Sequence, residues 1–192
     1  MPGSPSEGRP PPAWDGAAYQ ERFDRRAASG ADIHGEAAFV AALGPGSVLD
    51  AGCGTGRVAR ALAGWGIVVV GVDPDPSMIA TARRLAPDLS WVEADMATVE
   101  LDRTFEVVVM AGNVPLFTPA GTQADLVAGC ARHLAAGGSL VAGFQLGRGY
   151  TVQEYDRHCS AVGLTCVGRW STWSSEPSTP DGGYQVSIHR PA

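Results

Sequence analysis

Residues 48–57 read VLDAGCGTGR. The apolar run Val48-Leu49-Asp50-Ala51 gives way to Gly52, Gly54 and Gly56. The stretch RVARALAGW follows at 57–65, with Val58, Ala61, Leu62 and Trp65 spaced for one helical face and Gly66 as a stop. Glycines at a strand-to-helix handover let the backbone approach a ligand with no Cβ in the way. The N–H groups of such a turn favour an anionic or polar group. Asp73 closes the next apolar run, GIVVVGVD at 66–73. An acid about 20 residues past the first glycine can accept hydrogen bonds from both hydroxyls of a ribose. This much fits any nucleoside-containing cofactor.

Two details separate the cofactor classes. The dinucleotide fingerprint is G-x-G-x-x-G, whose third glycine lets helix and strand pack closely. Here the spacing is G-x-G-x-G, and Arg57 stands where that third glycine would fall. Asp50 also precedes the first glycine by two positions. An acid there would repel a pyrophosphate and attract an ammonium group. The turn therefore suits a zwitterionic amino-acid tail joined to a ribose. An NAD(P) oxidoreductase is disfavoured, and no set of hydride-transfer residues can be assigned.

Outward from this turn, helix and strand patterns alternate. Helical stretches AWDGAAYQERFDRR (13–26) and ADIHGEAAFVAAL (31–43) come before it. After it, Asp75 and Pro76 read as N-cap and first turn of a helix carrying Ile79, Ala82 and Leu85 inward. LSWVEAD (89–95) and FEVVVMAG (105–112) read as strands, and PAGTQADLVAGCARHL (119–134) as a helix ended by Gly137-Gly138. SLVAGFQ (139–145) is a fifth strand, and Thr151 with Glu154 forms a capping box opening VQEYDRHCSAV. Gly163 ends that helix, and LTCVGRWSTW and YQVSIHR form a terminal hairpin. Continuous Val/Ile/Leu strands between helices predict a Rossmann-like three-layer α/β sandwich with a buried, mostly parallel sheet.

The chain has 192 residues, 45% of them apolar, enough for one domain with a sizeable core. We expect a disordered Pro/Gly/Ser tail at 1–12, then a single domain at 13–192 whose first part, 13–44, is a helical cap. The net charge is −6 and all 14 basic residues are Arg, paired only at Arg25-Arg26 and Arg83-Arg84. That pattern offers no basic stripe for a polyanion. The four cysteines, at 53, 130, 159 and 166, lack metal-ligand spacing, so no metal is expected. With no signal peptide and no spanning run, a cytoplasmic protein with free thiols is expected.

VLDAGCGTG resembles the first motif of class I S-adenosylmethionine-dependent methyltransferases. VVGVDPDPSMIATAR, WVEADM, FEVVVMAGNVPLF and RHLAAGGSLVAGF resemble the later motifs in order, so the resemblance spans roughly residues 32–192. It implies a seven-stranded sheet of order 3-2-1-4-5-7-6 with the last strand antiparallel. The cofactor implied is S-adenosylmethionine, with S-adenosylhomocysteine as product. The resemblance places Asp50, Gly52 and Gly54 around the methionine part, with backbone from Ala51 and Cys53. Asp73 would hold the ribose, and Pro74 and Met78 would pack near the adenosine. Asp95 and the Met96 N–H would meet the adenine, while Ala111 and Asn113 would border the methyl group.

The family pattern does not fix a catalytic residue. His34 and Glu36 are candidate bases, and Tyr19 a candidate lid residue, because N-terminal helices in related enzymes lie over the cofactor. His34 is equally read as a solvated residue and Tyr19 as a packed aromatic. Arg57 either pairs with a carboxylate in the pocket or faces solvent. His133, His158 and His189 read as structural, and Trp170 and Trp173 as core residues before pocket residues. AGNVPLF stands where amino methyltransferases of macromolecules carry N/D-P-P-Y/F. No separate substrate domain fits the length. The residues 13–40 and the loops near 112–120, 146–151 and 173–183 are left to shape the pocket. We therefore expect a small-molecule acceptor, no membrane or nucleic-acid partner, and a monomer or homodimer. The alternatives are a non-catalytic S-adenosylmethionine-binding protein and a methyltransferase acting on a macromolecule.

Overall fold

A strand covered by helices on both faces must be apolar at nearly every position. The runs around residues 48, 70 and 108 meet that demand and become β1 (Ser47–Ala51), β2 (Val68–Asp73) and β4 (Phe105–Met110), each buried over most of its length. The computed structural model describes residues 15–30, 32–179 and 182–192; the tail expected at 1–12 lies outside them. With β3 (Ser90–Glu93), β5 (Leu134–Gln145), β6 (Leu164–Trp170) and β7 (Tyr184–Pro191) these strands form one seven-stranded sheet of order β3-β2-β1-β4-β5-β7-β6. Strand β7 runs antiparallel to both β5 and β6, and the other pairs are parallel. The predicted order and terminal hairpin are those observed.

Side-chain alternation divides the core in two. Val48, Val69, Val107 and Val141 face one layer, made by α2 (Gly35–Ala41), α3 (Arg57–Gly64) and α4 (Pro76–Leu85). Leu49, Val70, Val108 and Leu140 face the other, made by α6 (Gln123–Arg132) and α7 (Val152–Ala161). Local signals set the helix ends. The Asp75 side chain accepts from the N–H groups of Ser77 and Met78, and Thr151 and Glu154 close a reciprocal capping box. The first helix, α1 (Gly16–Ala28), is capped by Asp15 and lies across α4, with the Gly16 N–H donating to Ser77 Oγ at 3.1 Å. A Cβ at Gly16 would come within 2.4 Å of the Ser77 carbonyl oxygen, so only glycine allows this approach.

Three expectations need correction. Trp65 is not on the inward face: α3 ends at Gly64, Trp65 is its C-cap, and the indole is 52% exposed while Val58, Ala59 and Leu62 are buried. Leu85, expected inward, is only half-buried at the last position of α4. Gly137 and Gly138 do not end a helix. Helix α6 stops at Arg132, and both glycines lie inside β5, where pairing with β4 jumps from Phe105↔Leu134 to Val107↔Ser139. That bulge uses Gly137 at φ +73°.

Candidate cofactor and active site

The glycine turn hangs from the end of β2. The Gly52 and Cys53 N–H groups both donate to the Val72 carbonyl, at 2.8 and 3.0 Å. Gly52, Gly54 and Gly56 all have positive φ, which suits glycine. Gly56 has a second reason: a Cβ there would sit 2.2 Å from the Trp91 ring of β3. The third glycine of the motif thus seats an indole and gives α3 its start.

Two buried carboxylates organise the turn. Asp73, at the end of β2, accepts from the Gly54 N–H through Oδ2 (2.8 Å) and from the Asp75 N–H through Oδ1 (2.9 Å). One carboxylate thereby fixes the glycine turn and the β2–α4 turn together, and each oxygen keeps a further lone pair. Burial raises its pKa from the ordinary carboxylate value. Asp50 is almost wholly buried, and its Oδ2 accepts from the Ala59 N–H in the first turn of α3 at 3.1 Å. Burial pushes its pKa up to about 7.

Helices α1 and α2 close the site from above. Thr55 Oγ1 of the turn donates to the Gln20 side chain at 2.7 Å. Arg57 makes a two-point ion pair with Glu36, Nη1 to Oε2 at 2.9 Å and Nη2 to Oε1 at 2.6 Å. Its Nη1 also donates to the Ile33 carbonyl, and its guanidinium lies 4.7 Å from the centre of the Phe23 ring. Both partners of the ion pair are mostly buried, at 12% and 18% side-chain exposure, so Arg57 does not face solvent.

Beneath these helices is a cavity of about 340 Å³. Of the residues expected at a cofactor site, Tyr19, Asp50, Gly52, Cys53, Gly54, Asp73, Pro74, Met78, Asp95, Met96 and Ala111 all line it. Ala51 is fully buried and Asn113 is half-buried, and neither forms part of the wall. Asn113 adopts φ +71°; its N–H donates to the Gly143 carbonyl, and its side-chain oxygen accepts from the Gln145 N–H at 2.7 Å. It ties the end of β4 to the end of β5. His34 is exposed outside the wall as N-cap of α2, and Glu36 meets the wall only through Arg57.

The sequence reading did not single out Thr55, Val114, Phe117, Thr118 or Leu126, which also line the cavity. Val114 and Phe117 belong to α5 (Val114–Phe117), one turn long and too short for a periodic signal. The other predicted roles are structural. His133 Nε2 accepts from the Leu101 N–H, His158 meets the Tyr150 hydroxyl, and His189 pairs with Asp156. Trp170 and Trp173 pack edge-on against Phe39 in the core.

A seven-stranded sheet of this order, with a glycine turn after β1 and the buried acids Asp50 and Asp73 at one cavity, is the class I methyltransferase fold. The comparisons agree. The family described as a methyltransferase domain matches residues 48–138. The crystal structure of a TehB-like SAM-dependent methyltransferase from Corynebacterium glutamicum superposes with a TM-score of 0.87 and 33% identity, covering 92% of this chain and 98% of that one. A cypemycin N-terminal methyltransferase of a Streptomyces species is 43% identical over 98 residues, 48% of this chain and 39% of its own. A trans-aconitate 2-methyltransferase of Methylobacterium nodulans is 33% identical over 129 residues, 66% of this chain and 48% of its own. The chain spans about half or less of the length of these two curated relatives. This chain belongs to the class I S-adenosylmethionine-dependent methyltransferases, and its cofactor is S-adenosylmethionine.

Proposed function

We propose that the chain transfers the methyl group of S-adenosylmethionine to a small-molecule acceptor by in-line displacement. The observation that carries this reading is the Asp73 carboxylate, which pins the glycine turn while lining a cavity of cofactor size. When bound, the cofactor supplies an electrophilic methyl carbon. The chain's part is to bind, align and exclude water. Asp73 accepts from the ribose hydroxyls, and Pro74 and Met78 pack on the adenosine. Asp95 and the Met96 N–H meet the adenine. Asp50, Gly52 and Gly54, with the backbone of Cys53, surround the amino-acid tail, and Ala51 supports them from the buried end of β1. Tyr19 covers the tail from α1, and Ala111 shapes the transfer end, with Asn113 holding that end from behind by tying β4 to β5.

Neither expected base is well placed for proton removal. His34 stands outside the cavity, and both Glu36 oxygens are engaged by Arg57. The reading that follows is an acceptor that reaches the site with a free lone pair, such as a carboxylate or an amine already in its neutral form, so that no base from the protein is needed. The names of the two relatives point to different acceptors, which is consistent with a shared cofactor half and a variable acceptor half. Residues 13–192 are taken as one domain with a helical cap at 13–44, acting in the cytoplasm as a monomer or homodimer. Among the described residues, no helix is long and apolar enough to cross a membrane.

The test is transfer of labelled methyl from S-adenosylmethionine to a panel of small amines and carboxylates. Incorporation that Asp73→Ala abolishes supports the proposal. A second reading, cofactor binding without transfer, draws support from the packing beside Asn113. There the Trp173 indole lies against Gly143 and donates to the Tyr184 hydroxyl at 3.1 Å, filling space next to the transfer end. Tight S-adenosylhomocysteine binding with no turnover on any acceptor would favour it.

A further inference from the structure

Away from the cavity, the terminal hairpin packs on α7, and three kinds of metal-ligating side chain meet there. Asp156 lies on α7, Cys166 on β6 and His189 on β7. A carboxylate oxygen, a thiol sulfur and an imidazole nitrogen from these residues lie within 4.8 Å of one another. None of the three residues lines the cavity. The spacing of the cysteines gives no sign of this cluster, because each ligand atom comes from a separate element.

The sheet register brings them together. Cys166 and His189 are direct cross-strand partners, so their side chains share a face. Pairing then jumps to Gly168↔Ile188, a bulge that takes Val167 out of the alternation. The extra residue brings Arg169 to the same face as Cys166. Arg169 Nη2 donates to Asp156 Oδ1 at 2.6 Å and to Cys166 Sγ at 3.4 Å. His189 Nε2 meets the same Oδ1 at 3.0 Å. One nitrogen of a cation thus sits between the carboxylate and the thiol, where a metal ion would bind. His189 is 1% exposed, while Cys166 is exposed on the edge strand β6, so the cluster is buried on one side and open to solvent on the other.

We infer that Asp156, Cys166 and His189 bind a zinc ion, with Arg169 as the cation that the metal displaces. Thiolate, imidazole and carboxylate together suit zinc, whereas magnesium and calcium take oxygen ligands. On binding, the Cys166 thiol gives its proton to solvent and a Zn–S bond forms. The imidazole proton moves from Nε2 to Nδ1, and Nε2 takes the metal. Zinc replaces Arg169 Nη2 on Asp156 Oδ1. Thiolate and carboxylate then balance the two charges of the ion, so Arg169 is free to turn to solvent. Tetrahedral bonds of about 2.0–2.3 Å place ligand atoms roughly 3.3–3.6 Å apart, so side-chain shifts of about 1 Å suffice, and water takes the fourth position. A histidine bound in this way needs an acceptor for its Nδ1–H. Nδ1 is buried without a partner among the described residues, and so is Ser187 Oγ, two residues along the same face of β7.

The experiment is calorimetric titration of the reduced, chelator-treated full chain with Zn²⁺, with Mg²⁺ as the control ion. The expected result is one zinc per chain, a proton released on binding, a higher melting temperature and no response to Mg²⁺. Cobalt(II) in place of zinc should give a thiolate-to-metal charge-transfer band that Cys166→Ser abolishes. Cys166→Ser changes an exposed side chain and should weaken zinc binding at least about tenfold. Arg169→Met should tighten it, because the competing cation is gone; an ion pair with a structural role alone would give no such gain. Absence of zinc binding, binding that Cys166→Ser leaves unchanged, or an Arg169→Met protein that binds zinc no tighter than the wild type would overturn the proposal.

Discussion

Asp50 is almost wholly buried at the cavity wall, with one backbone N–H among the described residues as its hydrogen-bond donor. Its ordinary pKa of 3.8 rises to about 7 for that reason. The unfolded chain releases this proton near 4 and the folded chain near 7. Stability of the free protein therefore falls as pH climbs through that window, and the deficit is complete above 7. Binding an ammonium group favours ionised Asp50, so cofactor affinity should move the other way. We expect S-adenosylhomocysteine affinity to rise between pH 5.5 and 7, approaching about tenfold per pH unit, and to level off above. Asp50→Asn should flatten this profile, and a flat wild-type profile in calorimetry would contradict the account of Asp50. His34 gives the opposite kind of prediction. It is exposed outside the cavity, so His34→Ala should leave kcat/KM within about twofold in the methyl-transfer assay. Residue by residue, the acids were legible in the sequence because Asp73 closes an apolar run and Asp50 interrupts one just before the glycine turn. The Arg57–Glu36 pair was not, because only the fold brings α2 over the start of α3.

At the scale of elements, the glycine turn does two jobs that its letters do not distinguish. Gly54 lies in the cavity wall and donates to Asp73. Gly56, at φ +79°, makes room for Trp91, an indole from a strand two places away in the sheet. Gly56→Ala adds both backbone strain and a clash, and should cost at least about 2 kcal/mol. That corresponds to a melting temperature lower by about 4–8 °C for a chain of this size, readable by calorimetry. The capping box of α7 lies on the far layer and outside the cavity wall. Thr151→Ala should cost about 1 kcal/mol and leave cofactor affinity unchanged. Caps and apolar runs located most elements, because both are local. The misplaced ones were those where tertiary context decides: Trp65 falls one residue past the helix, Gly137 serves a bulge, and α5 is a single turn.

Across the whole molecule, the strand order was legible because five motifs in sequence resemble those of a family whose sheet has that order, and the terminal hairpin read from the residues agrees with it. One half of the cavity wall follows from that order: β1, β2 and β4 all end at one edge, where the turn, Asp73 and Ala111 meet. The rest of the cavity wall includes residues of α1 and α5, which are set by packing across the molecule and carry no short motif. The central claim is that this edge is the cofactor site, with Asp73 as its anchor. The most direct test is titration of wild-type protein and Asp73→Ala with S-adenosylhomocysteine, with NADH as the control ligand. The account predicts saturable one-to-one binding of S-adenosylhomocysteine to the wild type, loss of most of that affinity in Asp73→Ala with the variant still folded, and no competition from NADH. Undiminished affinity in a folded Asp73→Ala protein, or NADH binding in place of S-adenosylhomocysteine, would contradict it.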